Sequence, residues 1–188
     1  MALPLLEQRR YTLPEIKFVV TDNESKRVHG NEAVDLVIAH TPEGGYAGTI
    51  NYIKGTHDPD ERRVSYHVLI HENGKESVQF VRWSRKAWHV GVHNSRSDGI
   101  ALAGWAASTK ALSPGGRALA RAIAMRLRER NLPPVWRRHG EVGGGFCRHA
   151  DIQSDRSDPM PLWRWLTLVA MVKFQYRIGG FRPTWGRS

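Results

Sequence analysis

The stretch Asp35-Leu-Val-Ile-Ala-His40-Thr41-Pro42-Glu43-Gly44-Gly45 decides how this chain is read. Leu36 to Ala39 form an apolar run too short for a helix, which predicts a buried strand. Pro42 and the two glycines cannot continue any regular element, so the strand ends directly on His40 and enters a loop. In sheets whose strands alternate with helices, functional groups collect at strand ends. His40 is therefore either a hydrogen-bonded imidazole closing a strand or a residue with chemistry to perform.

Working outward, residues 1–34 read as an irregular lead-in with one short strand, Ile16 to Val20. Tyr46 to Lys54 predicts a short helix and Gly55 to Arg63 a polar loop. Val64 to His71 and Glu76 to Trp83 predict a hairpin around Glu72-Asn-Gly-Lys75, since Asn-Gly is a strong two-residue turn signal. Gly99 to Gly104 reads as another buried strand. Ser113-Pro-Gly-Gly opens a helix from about Arg117 to Arg130, with Leu119, Ile123, Met125 and Leu127 near one face, and Pro133-Pro134 closes it. A glycine-rich stretch, Gly140 to Gly145, leads to His149. Pro161 starts a final helix to about Arg177, whose Leu162, Leu166, Val169 and Tyr176 are expected to pack on the domain. Alternating strands and helices, with a hairpin among them, predict a single α/β domain: a central mixed β-sheet flanked by helices.

The 188 residues suffice for one domain with a sizeable core. The most apolar stretch, Trp165 to Val172, is too short to span a bilayer. The N-terminus places its apolar residues ahead of its charges, the reverse of a secretory signal, so no export signal is expected. The lone Cys147 excludes an intramolecular disulfide. With 28 Lys+Arg against 18 Asp+Glu, the net charge of +10 favours a polyanionic partner or a solvated basic surface. Lys110 to Arg138 holds eight basic residues against Glu129 alone, yet no nucleic-acid-binding motif accompanies them, so no specific nucleic acid is expected.

His149 follows the glycine-rich loop in Cys-Arg-His-Ala-Asp-Ile, and Asp158 lies nine residues further on in Ser-Asp-Pro. Together with His40 these make two imidazoles and a carboxylate, a donor set suited to a catalytic zinc with a fourth position open to water or substrate. Nine histidines in one chain leave spacing alone a weak signal. Cys147, two residues before His149, is open to reading as a ligand or as a buried thiol. His67 and His71 alternate away from Tyr66 in one strand and read as solvent-facing or packing residues.

The order of these words is more informative than any one of them. Val37-Ile-Ala-His40-Thr41, Val64-Ser-Tyr66-His-Val-Leu-Ile, Ala87-Trp-His89-Val-Gly, Asp98-Gly-Ile-Ala-Leu, His149-Ala-Asp-Ile and Arg156-Ser-Asp158-Pro follow one another as in the zinc-dependent N-acetylmuramoyl-L-alanine amidases, which this sequence resembles from about Asp35 to Pro159. That family includes phage endolysins of the T7-lysozyme type, bacterial amidases and peptidoglycan recognition proteins. The resemblance implies one Zn2+ per chain held by His40, His149 and Asp158. It further implies that Tyr66 positions or deprotonates the attacking water, and that Arg156 stands where the family commonly has lysine. Arginine is a poor proton shuttle, so Arg156 suits a purely electrostatic role. Read from their types alone, Tyr66 could equally be a packed strand aromatic and Arg156 the partner of Asp155 or Asp151. Trp88 and His89 resemble the family's substrate-groove word, and His93-Asn94 a groove segment of the recognition proteins. Ala101 replaces a glutamate-like residue usual in the family.

The resemblance implies a hydrolase acting on peptidoglycan at the amide between N-acetylmuramic acid and L-alanine. Residues 35–178 would form the catalytic domain, with residues 1–34 packed on it and residues 179–188 a basic tail able to touch an anionic membrane or wall polymer. The expected biology is a phage endolysin held in the host cytoplasm until a holin releases it to the wall. A cytoplasmic muropeptide-recycling amidase and a non-catalytic peptidoglycan-binding module are the alternatives.

Overall fold

The computed structural model describes residues 16–55, 63–138, 141 and 143–179. Its strands are β1 (Ile16–Phe18), β2 (Glu24–Lys26), β3 (Leu36–His40), β4 (Val68–Ile70), β5 (Ser77–Gln79), β6 (Arg85–Ala87), β7 (Ser97–Leu102) and β8 (Gly145–Arg148). The helices are α1 (Tyr46–Lys54), α2 (Pro114–Glu129) and α3 (Leu162–Ile178), with short 3-10 turns at Gly91–Arg96 and His149–Asp151. Six strands form one mixed sheet in the order β1-β5-β4-β7-β3-β8, and β2 pairs with β6 beside it. β3, β4, β7 and β8 run parallel, while β4 and β5 are antiparallel around Asn73-Gly74, where Gly74 takes the positive φ of 67° that such a turn requires.

The hairpin strands are shorter than the sequence suggested, because only Val68–Ile70 and Ser77–Gln79 pair in register. β8 was hidden in sequence by its glycines; it lies along β3 as a parallel edge strand, with Gly145 opposite Leu36. β1, from the lead-in, pairs parallel with β5, and Arg27 from the same segment reaches the buried Asp98. The tail expectation falls at residues 180–188, outside the described residues.

The sheet's two faces have different tenants. Val37, Ala39, Val68, Ile70, Ile100 and Leu102 point toward α2 and α3 and form the main core with Leu119, Ile123, Leu127, Trp165 and Leu168. α2 starts three residues before Arg117, directly at the opening Ser113-Pro-Gly-Gly: Ser113 Oγ accepts the Gly116 amide at 3.1 Å, and Pro114 occupies the first turn. α3 is rotated from its predicted setting. Trp165, Leu168, Val169 and Val172 are buried, and Leu162 and Leu166 are turned to solvent. Trp165, fully buried against Phe146, takes the place of the Leu162–Leu166 stripe in the core, while Trp163 stays exposed. Among the described residues, no helix is long and apolar enough to cross a membrane.

Candidate metal centre

Parallel pairing of β3 and β8 brings the two histidines together. Ala39 is registered with Arg148, so His40, at the end of β3, and His149, just past β8, emerge at the same carboxyl edge of the sheet. The His149–Asp151 turn then reverses the chain, and Ala150 donates its amide to the Asp158 carbonyl at 3.1 Å, which returns Asp158 to that edge. There His40 Nδ1 lies 3.2 Å from His149 Nδ1 and 3.4 Å from Asp158 Oδ2, and His149 Nδ1 lies 3.2 Å from Asp158 Oδ1. All three residues are buried. Two imidazole nitrogens and a carboxylate converging out of water form a set of lone pairs that a cation completes, and the nitrogen–oxygen mixture suits zinc. Burial takes the His40 imidazole down to about 4, against the pull of Asp158, so it is neutral as a ligand must be. Burial raises Asp158, but the facing His149 and His40 imidazoles outweigh it and keep the carboxylate ionised.

The neighbours are as ordered as the triad. The Thr41 amide donates to Asp158 Oδ2 at 3.2 Å. His149 Nε2 is hydrogen-bonded to Gln153 Oε1. His40 Nε2 lies 2.9 Å from His89 Nδ1, and His89 Nε2 lies 3.3 Å from Ser97 Oγ. The Tyr66 ring sits 5.2 Å from that of His40, and burial raises its phenol above the usual tyrosine range, so the hydroxyl keeps its proton. Arg156 lies close enough to act electrostatically on both His40 and Tyr66, and its Nε is buried without a hydrogen-bond partner. Asp151 is instead engaged by Arg148 at 2.6 Å and by the Trp136 indole at 2.7 Å. Cys147 is buried beside Leu36, Ile38 and Val90, and burial raises its thiol; the cluster able to hold a metal does not include it.

The model of the N-acetylmuramoyl-L-alanine amidase family matches residues 30–161, the segment that builds this sheet and this triad. The chain belongs to that family. N-acetylmuramoyl-L-alanine amidase A of Achromobacter lyticus is 39% identical over 71 residues, which are 38% of this chain and 38% of that protein, so the match spans well under half of that relative. Among solved structures, a selenomethionine derivative of AmpD superposes with a TM-score of 0.65 at 23% identity, over 84% of this chain and 94% of that one. Staphylococcus aureus AmiA superposes with a TM-score of 0.69 at 17% identity, over 89% and 85%. At these identities the two structures speak for the amidase fold.

The residues predicted for a substrate groove are distributed unevenly around the triad. Trp88 is half-buried, its indole donating to Ser25 Oγ at 3.0 Å. His89 is only 6% exposed and lies behind His40. Asn94 Oδ1 accepts the amides of His89 at 3.0 Å and Val90 at 2.6 Å, and His93 is partly exposed on the same 3-10 turn. His67, expected on a solvent or packing face, is fully buried: its Nδ1 accepts the Gly99 amide at 2.9 Å and its Nε2 meets the Arg85 carbonyl at 3.1 Å. Sequence reasoning missed Gln153 and Ser97. Gln153 stands four residues after His149, a spacing that could have marked it; Ser97 carried no signal. Glu43 was also passed over. Its carboxylate accepts the Ala106 amide at 2.8 Å and so ties the loop after His40 to the one after β7.

Proposed function

We propose that this chain hydrolyses the amide between the lactyl group of N-acetylmuramic acid and the L-alanine of the stem peptide in peptidoglycan, using one zinc held by His40, His149 and Asp158. The convergence of those three buried donors at one strand edge carries the reading. Zinc bound there would polarise the amide carbonyl and lower the pKa of a water molecule. Tyr66, a protonated phenol beside His40, orients that water toward the carbonyl carbon. Arg156 donates hydrogen bonds to the carbonyl oxygen as negative charge develops on it, a role that needs no proton transfer. The water oxygen bonds to the carbonyl carbon, the C–N bond breaks, and a proton from the water leaves with the L-alanine amine. Trp88, His93 and Asn94, in segments that resemble the family's substrate groove, are the residues we assign to contacts with glycan or peptide.

The experiment is mass spectrometry of peptidoglycan digested by the purified chain, paired with elemental analysis. Free stem peptides with intact glycan strands and about one zinc per chain are expected, as a single three-ligand site requires. Disaccharide or cross-link cleavage products, or full activity without metal, would refute the reading.

The biological setting we favour is a phage endolysin released from the host cytoplasm by a holin, with the basic tail adding affinity for an anionic wall polymer or lipid surface. Lysis on co-expression with a holin, and not without one, tests the first part. Salt-sensitive binding to sacculi tests the second.

A further inference from the structure

We propose that His89, backed by Ser97, fixes the tautomer of His40 and thereby aims its Nδ1 at the metal position; the inference rests on the zinc reading above. The direction of every hydrogen bond follows from the far end of the chain inward. The His93 carbonyl can only accept, and Ser97 Oγ lies 2.7 Å from it, so the serine proton is committed there. Ser97 Oγ then offers only lone pairs to its other neighbour, His89 Nε2 at 3.3 Å, which must carry the proton of that ring. A neutral imidazole has one N–H, so His89 Nδ1 is bare and accepts from His40 Nε2 at 2.9 Å. The single proton of His40 is thus held on Nε2. Nδ1 is left as a lone pair facing His149 Nδ1 and Asp158.

Packing makes this relay rigid. A Cβ at Gly99 would stand 2.8 Å from the His89 ring, so the ring lies directly on the backbone of β7 and only glycine admits it there. Asn94 Oδ1 holds the backbone on either side of the His89 carbonyl by accepting the amides of His89 and Val90. Both nitrogens of His89 are engaged within the protein, which leaves none to bind substrate. The groove role expected for it from the sequence therefore gives way to a positioning role. His149 has a shorter arrangement to the same end, with Nε2 on Gln153 and Nδ1 toward the metal position. Partners of this kind govern ligand basicity and orientation in metal sites and are worth about 10- to 100-fold in metal affinity.

The test uses the full chain with 15N-labelled histidine. In the zinc-free wild type, two-bond proton–nitrogen correlation should show His40 protonated at Nε2; protonation at Nδ1 would overturn the proposal. Zinc affinity, measured by competition with a chromophoric chelator, should fall about 10- to 100-fold in His89→Phe, which keeps a ring but removes the acceptor. His89→Asn, whose Oδ1 stands near the place of Nδ1, should restore most of that affinity. Ser97→Ala releases the polarity of the relay and should give His40 mixed tautomers. Wild-type affinity in His89→Phe, or an unchanged His40 spectrum in Ser97→Ala, contradicts the idea. Should His89→Phe fail to unfold cooperatively, the wild-type and Ser97→Ala spectra decide. Were the wild type to bind no zinc, the amidase reading would fail while the tautomer of the metal-free chain still judged this one.

Discussion

Asp98→Asn should be the most destabilising single-charge change in this protein. Asp98 is fully buried and collects three guanidinium groups: Arg27 at 2.6 Å, Arg126 at 2.7 Å and Arg130 at 2.8 Å. Burial and the neighbouring Arg130 and Arg126 bring Arg27 down to about 10 even with Asp98 supporting it, so cations already outnumber the carboxylate. Asparagine keeps the shape and an acceptor oxygen but removes the one carboxylate that all three share, leaving only Glu129 on Arg126. Breaking a buried pair from one side typically costs about 3–5 kcal/mol, because the remaining charge is left uncompensated. A domain of this size has about 5–15 kcal/mol in total, and each kcal/mol moves Tm by roughly 2–4 °C, so a drop of about 6–20 °C is expected. Urea unfolding followed by tryptophan fluorescence measures it. The acid side supplies a second check. Burial raises Asp98, but Arg126, His67 and Arg130 outweigh it and hold the carboxyl well below its ordinary 3.8. A depressed carboxylate contributes stability above the unfolded pKa and loses it as pH falls below that value. The wild type should therefore lose stability below about pH 4, and Asp98→Asn should lack that component. A loss under about 1 kcal/mol, the range of an exposed pair, would refute the claim that this cluster is a buried clamp.

His40→Ala should abolish stoichiometric zinc binding, whereas His71→Ala, away from the triad, should leave it intact by elemental analysis. Tyr66→Phe should retain zinc and fold while turnover on muropeptide drops by about ten- to a thousand-fold, as for a lost water-orienting group. Arg156→Ala should lower turnover by roughly 10²- to 10³-fold with zinc retained, and Arg156→Lys should recover part, which a purely structural arginine would not show. Burial, with Arg27 nearby, depresses His67 to about 3 although Asp98 favours its charge, so the folded ring stays neutral below 6.5 while the unfolded one takes a proton. Stability should accordingly fall as pH drops from 6.5 toward 3, by up to about 1.4 kcal/mol per pH unit for this group, and His67→Asn should flatten that slope in denaturant titrations.

Much of the architecture was legible because strong local signals coincide with tertiary need. The apolar run before His40, the Asn73-Gly74 turn and the Ser113-Pro114 cap each select one backbone geometry, and β3, the β4–β5 hairpin and α2 formed where they stand. What escaped lacks local signature. β8 begins in a glycine stretch, and only its pairing with β3 makes it a strand. The setting of α3 escaped because several apolar stripes compete on it, and the sheet's choice of Trp165 over Leu162 is a packing decision. At the site, the family resemblance supplied His40, His149 and Asp158, and the structure brings those three together. The hydrogen-bond partners behind them were illegible, since Ser97 and Gln153 are ordinary polar residues until the fold sets them against a ring nitrogen.

β7 shows why fold and site cannot be separated in this chain. Its side chains alternate between faces, so a one-residue slip would exchange two unlike environments. On one face Ser97 and Gly99 are small: the first directs the His89 ring and the second gives it room. On the other, Asp98, Ile100 and Leu102 meet α2, where Asp98 holds Arg126 and Arg130 while the two apolar residues join the core. The charged clamp at Asp98 and the small residues under His89 therefore share one register, fixed together with the pairing of β7 to β3 and β4. A hydrophobic replacement of the whole arginine–aspartate cluster could preserve stability, as buried ion groups often allow. Register would then rest on Ile100 and Leu102 on that face and on Ala101 and the His89 contacts on the other. The stability of the clamp and the proposed orientation of His40 are thus two consequences of one strand position.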